Sequence, residues 1–185
     1  MDEVGRGALA GPLVLASVLL SDDFKLCEVP ADIVIRDSKK MTSLQRQKSF
    51  EYIVASVLNF KIEVVGVGEI NKQGIGVCNK SGFEKLISET KADKYIVDGN
   101  IRFEQRNVES VVKADSIYIP VMMAAIVAKV TRDEIMKALH KEFFNYAWNK
   151  NVGYGTKEHI QAIRKFGKTI YHRDVFVETV TSKFT

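Results

Sequence analysis

The sequence predicts an α/β domain built on a mixed five-stranded sheet flanked by helices, and three observations carry that expectation. Strand and helix patterns interleave along the chain: two strands in succession, then helix, strand, helix, strand, strand, and helices to the end. The link between the acidic pair Asp2-Glu3 and the apolar run Leu13–Leu20 is too short for a parallel crossover, which takes about a dozen residues or more, so the first two strands run antiparallel. The 185 residues are 46% hydrophobic, with 3 Pro and 12 Gly and no repeat, low-complexity tract or linker, which predicts one domain over 1–185 whose part from about 141 to 185 is helical.

Each element has a local cause. Leu13–Leu20 (LVLASVLL) is short, apolar and closed by Ser21-Asp22-Asp23, the pattern of a buried strand. Thr42 or Ser43 caps an amphipathic helix over about 43–59, and the β-branched run Lys61–Gly68 (KIEVVGVG) follows as a strand. A helical region over about 69–90 leads to the short strand Lys94–Asp98 (KYIVD), which ends on a carboxylate. Val108–Lys113 is a further strand, with Asp115 just beyond it and a long apolar helix over about 120–144. A helix over about 156–167 starts at Thr156 as its cap, carries Glu158 in its first turn where the helix dipole favours it, and stops at Gly167.

Charge is unevenly distributed. Residues 1–100 hold 13 basic and 14 acidic side chains, residues 101–185 hold 14 and 9, and the formal net charge is +4. Within 141–173 stand Lys141, Lys150, Lys157, Arg164, Lys165, Lys168 and Arg173 against Glu142 and Glu158, a surface that suits a phosphate backbone or an ordinary solvated helix face. Cys27 and Cys78 form neither a disulfide framework nor a zinc motif, which fits a reducing cytoplasm. The run Leu13–Leu20 falls short of the roughly 20 apolar residues of a membrane span, and no signal-peptide pattern precedes it, so no membrane association is expected.

The candidate chemistry is acidic. Asp2, Glu3, Asp98 and Asp115 stand where strands begin or end beside glycine or small residues. Carboxylates gathered without His or Cys suit hard divalent ions such as Mg²⁺ or Mn²⁺, and two such ions can activate a water and stabilise a departing oxygen in phosphodiester cleavage. Taken singly, each carboxylate also fits a turn or cap. Gly5-Arg6-Gly7 offers close backbone approach and a planar cation for phosphate, or simply a tight turn. Asp37-Ser38-Lys39-Lys40 offers hydroxyl and ammonium donors ahead of a helix, or a solvated loop. Tyr154, between Gly153 and Gly155, is placed to stack on a sugar or base, or to fill the core beneath a loop.

Read together, these segments resemble the ribonuclease HII family. Asp2-Glu3-Val4-Gly5-Arg6-Gly7-Ala8-Leu9-Ala10-Gly11-Pro12 resembles its opening signature, Asp37-Ser38-Lys39-Lys40 its second and Val97-Asp98-Gly99 its third. Lys113-Ala114-Asp115-Ser116 through Ala128-Lys129-Val130-Thr131-Arg132-Asp133 resembles the fourth, and Asn151 to His159 (NVGYGTKEH) with His172-Arg173 completes the series in family order. The resemblance implies a ribonuclease H-like fold, and Asp2, Glu3, Asp98 and Asp115 as catalytic ligands of Mg²⁺ or Mn²⁺. It implies Gly5, Arg6 and Gly7 on the ribonucleotide and its 2′-hydroxyl, Tyr154 on the sugar of the next deoxynucleotide, and Ser38, Lys39, Lys40, Lys129, His172 and Arg173 as further substrate contacts. The implied activity is cleavage of the RNA strand of RNA–DNA hybrids, including single ribonucleotides in duplex DNA, leaving a 3′-hydroxyl and a 5′-phosphate, by a monomer in the cytoplasm.

Some residues depart from the family pattern. Val175 stands where a Ser is common, and Ala125 replaces a small hydroxyl residue. Only Met1 precedes Asp2, where the family has a strand leading into the acidic pair, so a chain starting there is expected to have a frayed, weakened site. Two other readings stay open: a ribonuclease HIII-like hybrid nuclease, which this chain resembles less at Gly5-Arg6-Gly7 and Tyr154, and a nucleic-acid-binding protein with impaired catalysis.

Overall fold

A computed structural model describes residues 1–182, so the last three residues of the expected helical C-terminal part lie outside the described residues. Strand β1 (Asp2–Val4) pairs antiparallel with β2 (Leu13–Leu19), Asp2 facing Ala16, and β2 pairs antiparallel with β3 (Asn59–Val65) along its full length. Strands β4 (Tyr95–Asp98) and β5 (Val108–Val111) pair in parallel. Met1 joins the two ladders. Its amino group donates to the Ile96 carbonyl at 2.8 Å, and the Asp98 N–H donates to the Met1 carbonyl at 3.1 Å, the slanted pair that parallel neighbours make around Val97. The five strands therefore lie edge to edge as β3-β2-β1-β4-β5, a mixed sheet as expected. Strand β1, which carries both acidic residues, is held by β2 on one edge and through Met1 by β4 on the other.

Strand β2 is apolar except for the buried Ser17, whose hydroxyl pairs with that of Thr90 at 3.2 Å, because both its faces are covered. Val14, Ala16 and Val18 pack against Met123, Ala124, Ile126 and Val127 of helix α4 (Ile119–Glu142) and Ile53 of helix α1 (Ser43–Ser56). Leu13 and Leu15 face the other way, onto Cys78, Phe83 and Leu86. Residue alternation at a period of two produces this division, and burial on both sides removes the polar alternation of a one-sided strand.

Helix boundaries follow local chemistry. Thr42, one of the two expected caps, opens helix α1, and the structure adds a reciprocal capping box with Gln45; the helix ends at Ser56, short of the expected 59, and β3 begins at Asn59. The single helical region expected over 69–90 is two helices, α2 (Val67–Gln73) and α3 (Ile75–Glu89), divided at Gly74, whose φ of 83° only glycine adopts readily. Pro120 in the first turn starts α4 where its missing N–H costs nothing. Beyond it come α5 (Trp148–Asn151), α6 (Lys157–Phe166) capped by the Thr156 hydroxyl, and α7 (Asp174–Thr181). These last helices enclose a third core cluster in which Trp148, Tyr146, Ile163 and Val177 pack on Leu9, Ala10 and Met136. That cluster fixes the segment 5–12 between β1 and β2 against the C-terminal part. No helix among the described residues is long and apolar enough to cross a membrane.

Candidate active site

The four acidic residues reach one end of the sheet by different routes. Asp2 and Glu3 sit in β1, next to β4, whose last residue is Asp98. Gly99 turns the chain at a φ of 112°, and one carboxylate oxygen of Asp98 accepts the Ala114 N–H at 2.7 Å. That bond anchors the single 3₁₀ turn Ala114–Ser116 and with it the buried Asp115. Lys39 then reaches across from the loop before α1 and donates its ammonium to Asp115 Oδ2 at 3.2 Å.

Electrostatics at this end of the sheet are unbalanced. Burial, then the neighbouring Glu3 and Asp98 charges, hold the Asp2 carboxyl well above the ordinary carboxylate range. Burial raises Glu3 to about 7, with Arg6 pulling the other way and Asp98 adding to the rise. Arg6 stands 3.6 Å from Glu3 Oε1, while the buried Oε2 of Glu3 has no hydrogen-bond partner. An orphaned carboxylate oxygen beside a second desolvated carboxylate is a deficit of positive charge, and oxygen-only donors fit a hard divalent ion. Among the described residues no three acidic, His or Cys side chains stand close enough to form a ready-made cage, so the donor set fits such an ion by its chemistry and not by a finished coordination shell.

The sign of this imbalance gives a prediction. A carboxyl raised from 4.5 to about 7 makes the folded chain hold more protons than the unfolded one in that interval, so stability falls as pH rises through it. Burial pulls His172 down to about 4, which acts the opposite way, but that contribution is complete above the ordinary histidine value of 6.5. Burial also lowers the Met1 amino group from 8.0 to about 6, which acts against Glu3 between pH 6 and pH 8, so the ion effect is the quantity to read: Mg²⁺ or Mn²⁺, competing with the proton on Glu3, is expected to raise the thermal midpoint more at pH 8 than at pH 6. Melting curves with equal ion effects at both pH values would count against a cation beside Asp2 and Glu3.

Beside the acids lies a cleft of about 400 Å³ lined by Glu3, Val4, Gly5, Arg6, Gly7, Ser38, Lys39, Lys129 and Tyr154. The fold thus brings most of the expected substrate residues to one wall. Lys129 lines it while paired with Asp133 at 2.7 Å, and Lys40 lies outside it, 3.8 Å from Asp37.

Two expected substrate contacts are corrected. His172 and Arg173 are 1% and 0% exposed, so neither reaches the surface. Arg173 donates to the carbonyls of Arg6 and Gly11, and His172 sits against His159 with 3.2 Å between their Nε2 atoms. His159 in turn bonds the Tyr154 carbonyl through Nδ1 at 2.9 Å and accepts the Trp148 indole N–H at 3.0 Å. Charge in the basic segment 141–173 is partly internal for the same reason: Arg173 is buried, and Lys168 is tied to Asp174 at 2.6 Å. Of the two substituted positions, Ala125 is buried in α4 and Val175 is exposed on α7.

Arg132 carries a role that sequence reasoning missed. Fully buried, it donates to the carbonyls of Pro12, Ala10 and Val152. Its signal is positional: Val121, Ala125, Ala128, Arg132 and Met136 follow helical spacing along the buried stripe of α4, where a cation needs a purpose.

A family model described as Ribonuclease HII matches residues 1–179. The Ribonuclease HII of Wolbachia sp. subsp. Brugia malayi (strain TRS) is 41% identical over 185 residues, covering 98% of this chain and 88% of the relative. That of Orientia tsutsugamushi (strain Boryong) is 39% identical over 178 residues, covering 95% and 83%. Among solved structures, the ribonuclease H2 from Pyrococcus horikoshii OT3 superposes with a TM-score of 0.76 at 24% identity, over 99% of this chain and 96% of that one. The chain in the PCNA:RNase HII complex from Archaeoglobus fulgidus gives 0.78 at 23%, over 93% and 91%. Bst-RNase HIII in complex with Mn²⁺ gives 0.69 at 17%, over 98% and 68%. The structural likenesses support the ribonuclease H-like fold, and the sequence matches go further: the chain belongs to the ribonuclease HII family, metal-dependent endoribonucleases of the ribonuclease H type that act on RNA–DNA hybrids.

Proposed function

We propose that this chain, as one monomeric cytoplasmic domain, cuts the RNA strand of hybrids and also single ribonucleotides embedded in duplex DNA, leaving a 3′-hydroxyl and a 5′-phosphate. The observation that carries this reading is the shared wall of the cleft, where Glu3, with its unpartnered buried oxygen, stands beside Gly5-Arg6-Gly7 and Tyr154. Asp2, Glu3, Asp98 and Asp115 would hold Mg²⁺ or Mn²⁺. Two such ions, when bound, supply an activated water and a counter-charge for the departing 3′-oxygen.

The chain's own residues do the recognition. Exposed backbone at Arg6 and Gly7 meets the 2′-hydroxyl, the group that separates RNA from DNA. Tyr154 presents its ring to the next sugar while Arg132 lies 5.3 Å from the ring centroid on the protein side. Lys39 and Lys129 attract the phosphates that flank the cut.

The deciding experiment incubates a DNA duplex carrying one ribonucleotide with the protein and Mg²⁺ or Mn²⁺, and separates the products on a gel. Cutting at that ribonucleotide supports the reading. Cutting of long hybrids alone points to a ribonuclease HIII-like specificity, and binding without cutting to an impaired nuclease. Tyr154→Ala is expected to lower the rate at the single ribonucleotide by about tenfold or more, on the scale of one lost base or sugar stack. Undiminished cutting there would remove Tyr154 from junction reading.

A further inference from the structure

The loop from Gly5 to Pro12 has an asymmetric hydrogen-bond pattern. Its N–H groups from Ala8 to Gly11 are all used inside the protein: Ala8 to the Gly5 carbonyl, Leu9 and Ala10 to the Gly153 carbonyl, and Gly11 to the Tyr171 carbonyl. Among the described residues, those of Arg6 and Gly7 have no protein partner, and both residues are exposed at the cleft. The carbonyls of the same loop turn inward onto two fully buried guanidinium groups. Arg132 donates to Pro12 at 2.9 Å and Ala10 at 3.0 Å, and through its third nitrogen to Val152 at 2.8 Å. Arg173 donates twice to Gly11, at 3.0 and 2.9 Å, and once to Arg6 at 3.1 Å.

Neither arginine forms an ion pair among the described residues; the nearby Asp133 is committed to Lys129. Burying a cation without a counter-charge is costly, and a scaffold that needed only donors would use neutral ones. What an arginine adds is a rigid planar fork that can grip two or three carbonyls at once, and a positive potential that the low-dielectric interior does not screen. Both come to bear on the same wall. A β-carbon on Gly5 would lie 2.1 Å from Arg132 Nε, and the Arg132 guanidinium lies under Tyr154.

We propose that Arg132 and Arg173 are positioning residues for ribonucleotide recognition: by pinning the loop's carbonyls inward they aim the free N–H groups of Arg6 and Gly7 into the cleft, and so set the preference for a ribonucleotide over a deoxyribonucleotide. This rests on the reading of Gly5-Arg6-Gly7 as the ribonucleotide grip.

The test measures binding, in Ca²⁺ in place of Mg²⁺, to a duplex with one ribonucleotide and to the same duplex made wholly of DNA, alongside KM and kcat in Mg²⁺. Arg132→Lys and Arg173→Lys keep the charge and lose the fork. In variants shown folded by circular dichroism, the ratio of the two affinities is expected to fall about tenfold and KM at the ribonucleotide to rise in step, with all-DNA affinity unchanged; tenfold is the loss of one charge-assisted contact. A ratio kept at the wild-type value in a folded variant overturns the proposal and leaves the arginines as scaffold. Should neither variant fold, amide spectra of the wild-type protein decide: the Arg6 and Gly7 N–H signals shift on the ribonucleotide duplex and not on the all-DNA duplex, and equal shifts overturn the proposal. A wild-type protein with no preference between the duplexes refutes instead the reading of the loop itself.

Discussion

Asp98→Asn is expected to give a folded protein whose hybrid cleavage is slower by about a thousandfold or more, the scale on which removing one charge-stabilising group acts in a preorganised site. Asparagine keeps the oxygen that accepts the Ala114 N–H, so the turn carrying Asp115 stays in place. What it removes is the negative charge that Asp98 contributes beside Asp2 and Glu3. The variant should therefore melt no lower than the wild type in chelator, and even higher at pH 8, because the repulsion that raises its two neighbours is relieved. Asp115→Asn should match it in lost cleavage, but it also loosens Lys39, whose ammonium is held at 3.2 Å by that carboxylate. Single-turnover cleavage at saturating Mg²⁺, with a melting curve for each variant, checks both. Rates within about threefold of wild type would remove the residue concerned from the catalytic set.

Gly5→Ala is expected to be strongly damaging although it replaces a single hydrogen by a methyl group. The backbone there has a φ of 97°, which costs an ordinary residue about 1–2 kcal/mol. The new carbon would also stand 2.1 Å from Nε, 2.7 Å from Cδ and 2.8 Å from Cζ of Arg132, which three carbonyls hold in place. Overpacking of that kind costs about 1–3 kcal/mol more, so denaturant unfolding should show a loss of about 2–5 kcal/mol, with ribonucleotide cleavage lost as the loop is displaced. Gly7→Ala is the control. No atom lies within 4 Å of its added carbon, and its stability should change by less than about 1 kcal/mol. Equal losses for the two variants would show that the Gly5–Arg132 contact does not fix the loop.

Much of this architecture is legible in the sequence, and the residues show why. Leu13–Leu19 reads as a strand because both faces are buried, and Thr156 and Gly167 bound α6 because a hydroxyl cap and a positive φ are local necessities. The break at Gly74 is harder to read, since glycine inside a helical pattern is tolerated as often as it terminates one. The acidic residues are visible as strand-end carboxylates, but their convergence depends on Met1 bridging to β4, a contact 95 residues away along the chain that no local pattern encodes. His172 and Arg173 are the reverse case. They are polar, and sit in a basic segment, so composition places them outside; the carbonyls of Arg6 and Gly11, and His159, draw them in.

Trp148 has a use that its packing alone does not announce. It is the chain's one tryptophan, fully buried, stacked on Tyr146 at 5.3 Å and hydrogen-bonded to the same His159 imidazole that holds the Tyr154 carbonyl. Tryptophan emission of the unlabelled protein, excited beyond the tyrosine absorption band, therefore reports from a single place, two hydrogen bonds from the aromatic residue in the cleft wall. The enzyme carries its own optical gauge of whether that wall is assembled, readable during folding, ion binding or substrate binding without attaching a dye.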